Sequence, residues 1–495
     1  MLYHLRLRRE GEDDDMLMLD AETRGELWRR LVEAIESYIN GVGEARVAPP
    51  LDVDAIRGAL APFDFEHPLD PLEALDFAVE SLWKWQVHTP HPRYFGLFNP
   101  APTTMGIAAD ALVAAFNPQL AAWSHSPMAA EIEQHLIRAL GGRFGFEPAR
   151  VEGSFTSGGA EANHTALLTA LTRAFPEIGR RGMLALRSQP VLYVSPEAHH
   201  SFLKAARLSG LGTEAVREVR VDSRLRMIPT ELAARIEEDR SAGHTPFLVV
   251  ATVGSTSAGA IDPVAEIAQV ADEAGGLWLH LDAAWGGAAA LAPELRPVLD
   301  GAARADSITF DAHKWLSVPM GAGVYLTRHP GILERTFRVA AGYMPREGSV
   351  LPVADPYAHS MQWSRRFIGL KLFLSLAVAG WEGYQEAVRR QTEMGDRLRE
   401  RLREAGWAIV NDTPLPVVCF VDTGKDGGKD GRSAPFLEAV AARVVASGEA
   451  WISTVSLGEA GPALRACITN YRTGPEDLDA LVAALGQARR AVATA

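Results

Sequence analysis

Cysteine is scarce in this chain: Cys419 and Cys467 are the only two in 495 residues. That excludes a disulfide framework and fits a reducing compartment. Positive charge is also in deficit. The formal net charge is −13 and no basic stripe gathers anywhere, which argues against a nucleic-acid partner. No run approaches the roughly 18 uninterrupted apolar residues of a membrane span. The opening "MLYHLRLRREGEDDDMLML" has basic residues but no long apolar core or small-residue cleavage site, so it does not read as a signal peptide. There is no H-E-x-x-H and no cysteine cluster, so no metal site is expected. What remains is ordinary globular material, 47% hydrophobic and 22% charged, long enough for two or three domains. The expectation is a soluble, cytoplasmic protein.

Helical patterns fill the first hundred residues. "ELWRRLVEAIESYI" places Leu27, Leu31, Ile35 and Ile39 four apart and stops at "NGVG". "DPLEALDFAVESLWKW" gives a second stripe through Leu72, Leu75, Val79 and Leu82. From about Gly153 short apolar runs alternate with helical stretches. The runs are "VLYVS" (191–195), "FLVVATV" (247–253), "LWLHLDA" (277–283), "SITF" (307–310) and "GVYLT" (323–327). Strands apolar on both faces, separated by helices, predict an α/β fold with a mostly parallel sheet. After about residue 370 long helical patterns lead to "VVCFV", "LRACIT" and a closing helix, a smaller α+β domain. The expected division is a helical segment over 1–100, a large α/β domain over 101–370 and a small domain over 371–495.

Ligands of open parallel sheets bind beyond the carboxyl ends of the strands. After the strand near Phe155, "TSGGAEAN" turns small residues directly into a helix, a cradle for a phosphate or simply a glycine-containing helix start. After "VLYVS" comes "PEAHHSF", where a histidine is either a hydrogen-bonded polar residue or a ring stacked on a planar ligand. After "LWLHL" comes Asp282, a carboxylate that needs a cation, an N-cap role or an arginine partner. Ala283 and Ala284 beside it leave room for a flat ligand. Lys314 follows 32 residues later in "FDAHKWLSVPMGAG", where a buried ammonium has no evident counter-ion. Together these positions demand a phosphate, a planar ring, a protonated ring nitrogen and an aldehyde. Pyridoxal 5′-phosphate has all four, and a lysine that bonds the aldehyde no longer carries a free ammonium.

The ordered set "HPRYFG", "SPMAAEIE", "TSGGAEAN", "AHHSF", "ATVGSTSAGAID", "LHLDAAWGG" and "DAHKW" resembles the group II pyridoxal-phosphate-dependent amino-acid decarboxylases, from about His91 to Arg366. The resemblance implies a fold-type I homodimer with its sites at the subunit interface. It implies that Lys314 is the Schiff-base lysine, with His313 near the phosphate, Asp282 as the ring-nitrogen partner and Ala284 against the ring. It makes His199 the ring stacked over the cofactor, sets Thr256 beside it and makes Gly158, Gly159 and Ala160 the phosphate turn. Gly158 and Ala160 stand where many members carry serine, which shifts phosphate binding to backbone N–H groups and Ser157. Asp311 stands where animal aromatic decarboxylases have asparagine, and a carboxylate beside a phosphate is expected to turn away. The substrate pocket is expected at Leu97, Phe98, Asn99, Gln119 and Ala121, a less aromatic lining than in aromatic decarboxylases. Tyr343, 29 residues after Lys314, matches a loop tyrosine associated with protonating Cα, and a loop anchor packed on the second subunit is the rival reading. The implied activity is decarboxylation of an L-amino acid to an amine. An aldehyde-forming oxidative decarboxylase or a carbon–carbon lyase stands second, and a binding protein without turnover third.

Overall fold

The computed structural model describes residues 17–339, 351–423 and 432–493. The chain divides into two compact units, residues 1–88 and 89–495. In the first, helices Ala21–Gly41, Val53–Leu60 and Pro71–Trp85 each begin at an aspartate whose side chain accepts a backbone N–H of the first turn. Asp70 takes Leu72 N at 2.8 Å, for example. Such caps satisfy donors that the helix itself leaves unpaired. Tyr38 meets Trp83 edge to face at 4.8 Å. No residue of these three helices is fully buried, and Trp28, Val32 and Leu82 stay exposed.

The second unit is built on a seven-stranded sheet. Its strands are β1 (Glu152–Thr156), β2 (Pro190–Val194), β3 (Val216–Glu218), β4 (Thr245–Thr252), β5 (Trp278–Asp282), β6 (Ser307–Asp311) and β7 (Gly323–Thr327). The order is β1-β7-β6-β5-β4-β2-β3, with β7 alone antiparallel to its neighbours. Strands β2, β5, β6 and β7 are buried along their whole length, which is why they appear in the sequence as unbroken apolar runs. A second, antiparallel sheet follows, formed by β8 (Trp407–Ile409), β9 (Val417–Asp422), β10 (Ser453–Ser456) and β11 (Pro462–Cys467) in the order β10-β11-β9-β8. Helices Ala434–Ser447 and Pro475–Ala493 accompany it. The mostly parallel large sheet, the small second sheet and the helical N-terminus agree with the expected fold class. Among the described residues no helix is long and apolar enough to cross a membrane.

One register brings the chemistry together. Gly323 opens β7 and pairs with Thr156 on one side and Asp311 on the other. A Cβ on Gly323 would stand 2.4 Å from Thr156 Oγ1 and 2.7 Å from Gly158 Cα. Only glycine lets the "TSGG" turn and the "DAHK" turn approach this closely.

Candidate active site

Asp282 ends β5, Asp311 ends β6, and the turn after β6 carries His313 and Lys314. Lys314 N bonds to Asp311 O at 3.2 Å, and Ser317 N returns to Lys314 O at 3.2 Å. This tight turn places Lys314 Nζ 3.0 Å from Asp311 Oδ2. Asp311 is not turned away from the site, as its position beside a phosphate led us to expect. Its carboxylate is buried and serves as the counter-ion of Lys314, and among the described residues its Oδ1 has no hydrogen-bond partner. Gly159 lies against the same carboxylate, where a Cβ would meet Asp311 Oδ2 at 2.7 Å.

His313 Nδ1 accepts the N–H of Ala322 at 3.2 Å, so any ring proton sits on Nε2, 4.0 Å from Asp311 Oδ2. Burial holds the His313 pKa below the usual range against the pull of Asp311. His199 is reached by solvent, yet the protein packed around it also pushes its pKa down. The charges it feels are those of Asp282, Lys314, His200 and Asp311. Asp282 and Asp311 end the paired strands β5 and β6, Lys314 follows β6, and His199 lies on the loop after β2. Ser201 N donates to His199 Nδ1 at 3.2 Å and orients the ring.

Asp282 Oδ1 accepts the N–H of Ala284 at 3.1 Å, and Oδ2 accepts Asn163 Nδ2 at 2.9 Å. Each oxygen keeps a free lone pair for a further donor. Thr256 is exposed on the turn after β4. Its neighbour Ser257 donates to Glu197, a hydrogen bond that ties this turn to the loop carrying His199. Burial raises the Glu197 pKa.

The phosphate-turn candidates begin helix Gly159–Ala174, with Gly158 as its cap residue. Ser157 uses both its N–H and its hydroxyl on Glu161 Oε2, at 2.8 and 2.7 Å. The substrate candidates are more scattered. Leu97 and Gln119 are exposed, Asn99 donates to Met320 Sδ at 2.8 Å, and Ala121 is buried. Phe98 is buried too, stacked 4.5 Å from Trp285, with the Arg465 guanidinium 5.1 Å from its ring centroid. Among the described residues no hydrogen bond or ion pair joins these five to Lys314. Tyr343 lies outside the described residues.

Sequence reasoning missed Asn163 and His280, both fully buried behind Asp282. The signal was available for one of them: His280 stands two residues before Asp282 on the same strand, so both side chains face the same side.

Residues 56–422 match the family model described as the pyridoxal-dependent decarboxylase conserved domain. The chain is 31% identical over 466 residues to an aromatic-L-amino-acid decarboxylase of Bacillus atrophaeus, covering 93% of this chain and 94% of that one. It is 32% identical over 354 residues to the acidic amino acid decarboxylase GADL1 of Bos taurus, covering 71% and 67%. The crystal structure of mouse CSAD superposes with a TM-score of 0.88 at 26% identity, covering 95% of this chain and 99% of that one.

The residues at the site fit the cofactor that this family uses. A half-exposed lysine amine meets the need for an aldehyde partner, and Asp282 has lone pairs to spare for a ring N–H. The start of a 16-residue helix, where a side chain on Gly159 would collide, leaves backbone N–H groups for a phosphate. The chain thus belongs to the pyridoxal-dependent decarboxylase family and is an amino-acid decarboxylase that works with pyridoxal 5′-phosphate.

Proposed function

We propose that Lys314, Asp282 and His199 are the catalytic core, and that the substrate is an aromatic L-amino acid converted to its amine and carbon dioxide. The observation that carries this reading is Lys314 held 3.0 Å from Asp311 just beyond β6, with Asp282 ending the paired strand β5 and His199 on the loop after β2. The near full-length similarity to an aromatic-L-amino-acid decarboxylase supports the aromatic substrate.

When bound, pyridoxal 5′-phosphate supplies a ring that accepts the electrons of the bond broken between Cα and the carboxylate. Lys314 Nζ would be the amine that binds its aldehyde, and Asp282 would hold a proton at its ring nitrogen. His199, Thr256 and Ala284 would hold the ring. His313 and the N–H groups of Gly158, Gly159 and Ala160 would hold the phosphate, with Ser157 at the edge of the turn. Leu97, Phe98, Asn99, Gln119 and Ala121 shape the approach of the substrate side chain. Tyr343 returns a proton to Cα, which makes the product an amine and not an aldehyde.

A second copy of the chain completes the site. Leu112, Phe116, Met128 and Met320 are apolar and exposed, and so are Trp28 and Val32 of the helical first unit, surfaces suited to a homodimer. Two free, buried cysteines suit a cytoplasmic location. A panel of L-amino acids assayed for carbon dioxide and amine release tests the substrate. Aromatic substrates should be turned over fastest; a preference for glutamate or aspartate contradicts the proposal.

A further inference from the structure

Behind Asp282 lies a buried hydrogen-bond chain whose direction can be assigned throughout. Trp278 Nε1–H can only donate, and it donates to Ser307 Oγ at 2.8 Å. Ser307 Oγ is also 2.8 Å from His280 Nδ1. Ser307 Oγ has a second lone pair as well as its own hydrogen, so the direction of this link is fixed from the other end of the chain. At the other end the Asp282 carboxylate can only accept, so the Asn163 atom facing it is the amide nitrogen. The same nitrogen donates to Ser201 Oγ at 2.9 Å, which uses both amide hydrogens. Asn163 Oδ1 is then the atom 3.2 Å from His280 Nε2, so Nε2 carries the ring hydrogen. Thr309 Oγ1, also 3.2 Å from Nε2, shares it.

Every link from Trp278 to Asn163 therefore donates toward Asp282. With the ring hydrogen on Nε2, the neutral imidazole accepts at Nδ1 from Ser307. Reversing the Asn163 amide or the His280 tautomer would set two acceptors face to face among groups that are essentially inaccessible to solvent. Burial also holds the His280 pKa down at about 4, so the imidazole is neutral at working pH and keeps this tautomer.

We propose that Asn163 and His280 are positioning residues that keep the proton of the Asp282–ring nitrogen pair on the ring. The inference rests on the reading that Asp282 faces that nitrogen. Two bases compete for one proton there, the ring nitrogen and a carboxylate at the end of a buried strand. Hydrogen bonds donated to a carboxylate stabilise its charged form, whereas burial raises its affinity for the proton. Without the Asn163 donor, Asp282 Oδ2 loses its side-chain partner. The proton then passes from the ring nitrogen to the carboxylate, leaving a neutral pair and a weaker electron acceptor. His280 acts one step back, by holding the Asn163 amide with its nitrogen toward Asp282.

The test uses holoenzyme loaded with cofactor labelled with ¹⁵N in the ring, in the parent and in the Asn163→Leu, His280→Leu, His280→Gln and Asp282→Asn variants. The ¹⁵N shift reads ring protonation directly and does not respond to a purely structural loss. In the parent the shift should be that of a protonated ring. In Asn163→Leu and His280→Leu it should move toward the unprotonated value, with kcat falling roughly tenfold to a hundredfold and KM little changed, as for a lost hydrogen bond to a charged group. His280→Gln keeps a donor toward Asn163 and should recover most of the protonated signal. It also serves if the leucine variants do not fold. Parent-like shifts in Asn163→Leu and His280→Leu, or loss of the signal in His280→Gln as complete as in His280→Leu, overturn the inference. A parent-like shift in Asp282→Asn overturns the reading beneath it, that Asp282 faces the ring nitrogen, and the inference with it.

Discussion

Lys314 Nζ stands 3.0 Å from Asp311 Oδ2, and the other oxygen of that buried carboxylate has no hydrogen-bond partner among the described residues. A lysine at the end of a buried strand thus has a counter-ion three residues before it in the same turn. The pair has a cost that shows when half of it is removed. Lys314→Ala should destabilise the cofactor-free protein by roughly 2–3 kcal/mol, the lower part of the range for broken buried pairs, since the lysine is partly exposed. Adding Asp311→Asn should restore more than half of that loss in a urea titration. No loss in the single variant, or no recovery in the double, contradicts the pairing.

Asp282→Asn keeps the shape of the side chain and removes its charge. Asparagine offers one oxygen where Asp282 offers two, so one of the bonds from Ala284 N and Asn163 Nδ2 is lost. The fold should survive with a melting temperature lowered by a few degrees. Turnover with saturating cofactor should fall at least a hundredfold, the loss typical of a removed electrostatic catalytic group, roughly 3 kcal/mol. Unaltered turnover would leave Asp282 a structural residue.

Stability should depend on pH through His280 and Asp262. The unfolded chain protonates a histidine near 6.5, but folded His280 resists down to about 4. The unfolded state therefore binds more protons across that window, and stability falls as pH drops through it, by about 3 kcal/mol for His280 alone. His199 and His313, also lowered, act in the same direction. Asp262 opposes them. Burial raises its pKa from 3.8 to about 6, so the folded state takes up that proton first and gains stability as pH falls from 6 to 4. Urea midpoints between pH 7.5 and 4.5 should slope more steeply in Asp262→Asn than in the parent, and less steeply in His280→Gln. Equal slopes in all three would contradict the assignment.

Tyr343→Phe removes the phenol proposed to protonate Cα. Amine release should slow. Under oxygen and water, part of the turnover should divert to aldehyde, ammonia, carbon dioxide and hydrogen peroxide in equal amounts. Parent-like amine production with no peroxide would mean that another group delivers the proton.

The legibility of this fold followed burial. Strands β2, β5, β6 and β7 are covered on both faces, so each left a continuous apolar run in the sequence. Strand β3 did not: its three residues, Val216–Glu218, are half-exposed and read as "VRE", with neither period nor apolar content. In the proposed site, Lys314, Asp282 and His199 could be singled out because each lies at or beyond the strand end where α/β sheets bind ligands. Their partners could not, because partnership depends on register. His280 meets Ser307 only because β5 and β6 pair them. Asp311 was misjudged because its distance from Lys314 depends on a turn geometry that spacing alone leaves open. The burial of Phe98 was not legible either, because Trp285, which stacks on it, comes 187 residues later.

The central claim is that Lys314 is the residue that bonds the cofactor. Protein loaded with pyridoxal 5′-phosphate should absorb in the visible, lose that band on borohydride treatment and yield one modified peptide on digestion. The account predicts that the added mass maps to Lys314 and is absent from Lys314→Ala, which should have no measurable turnover. A modified lysine elsewhere in the chain, or a Lys314→Ala protein that turns over at the parent rate, would contradict it.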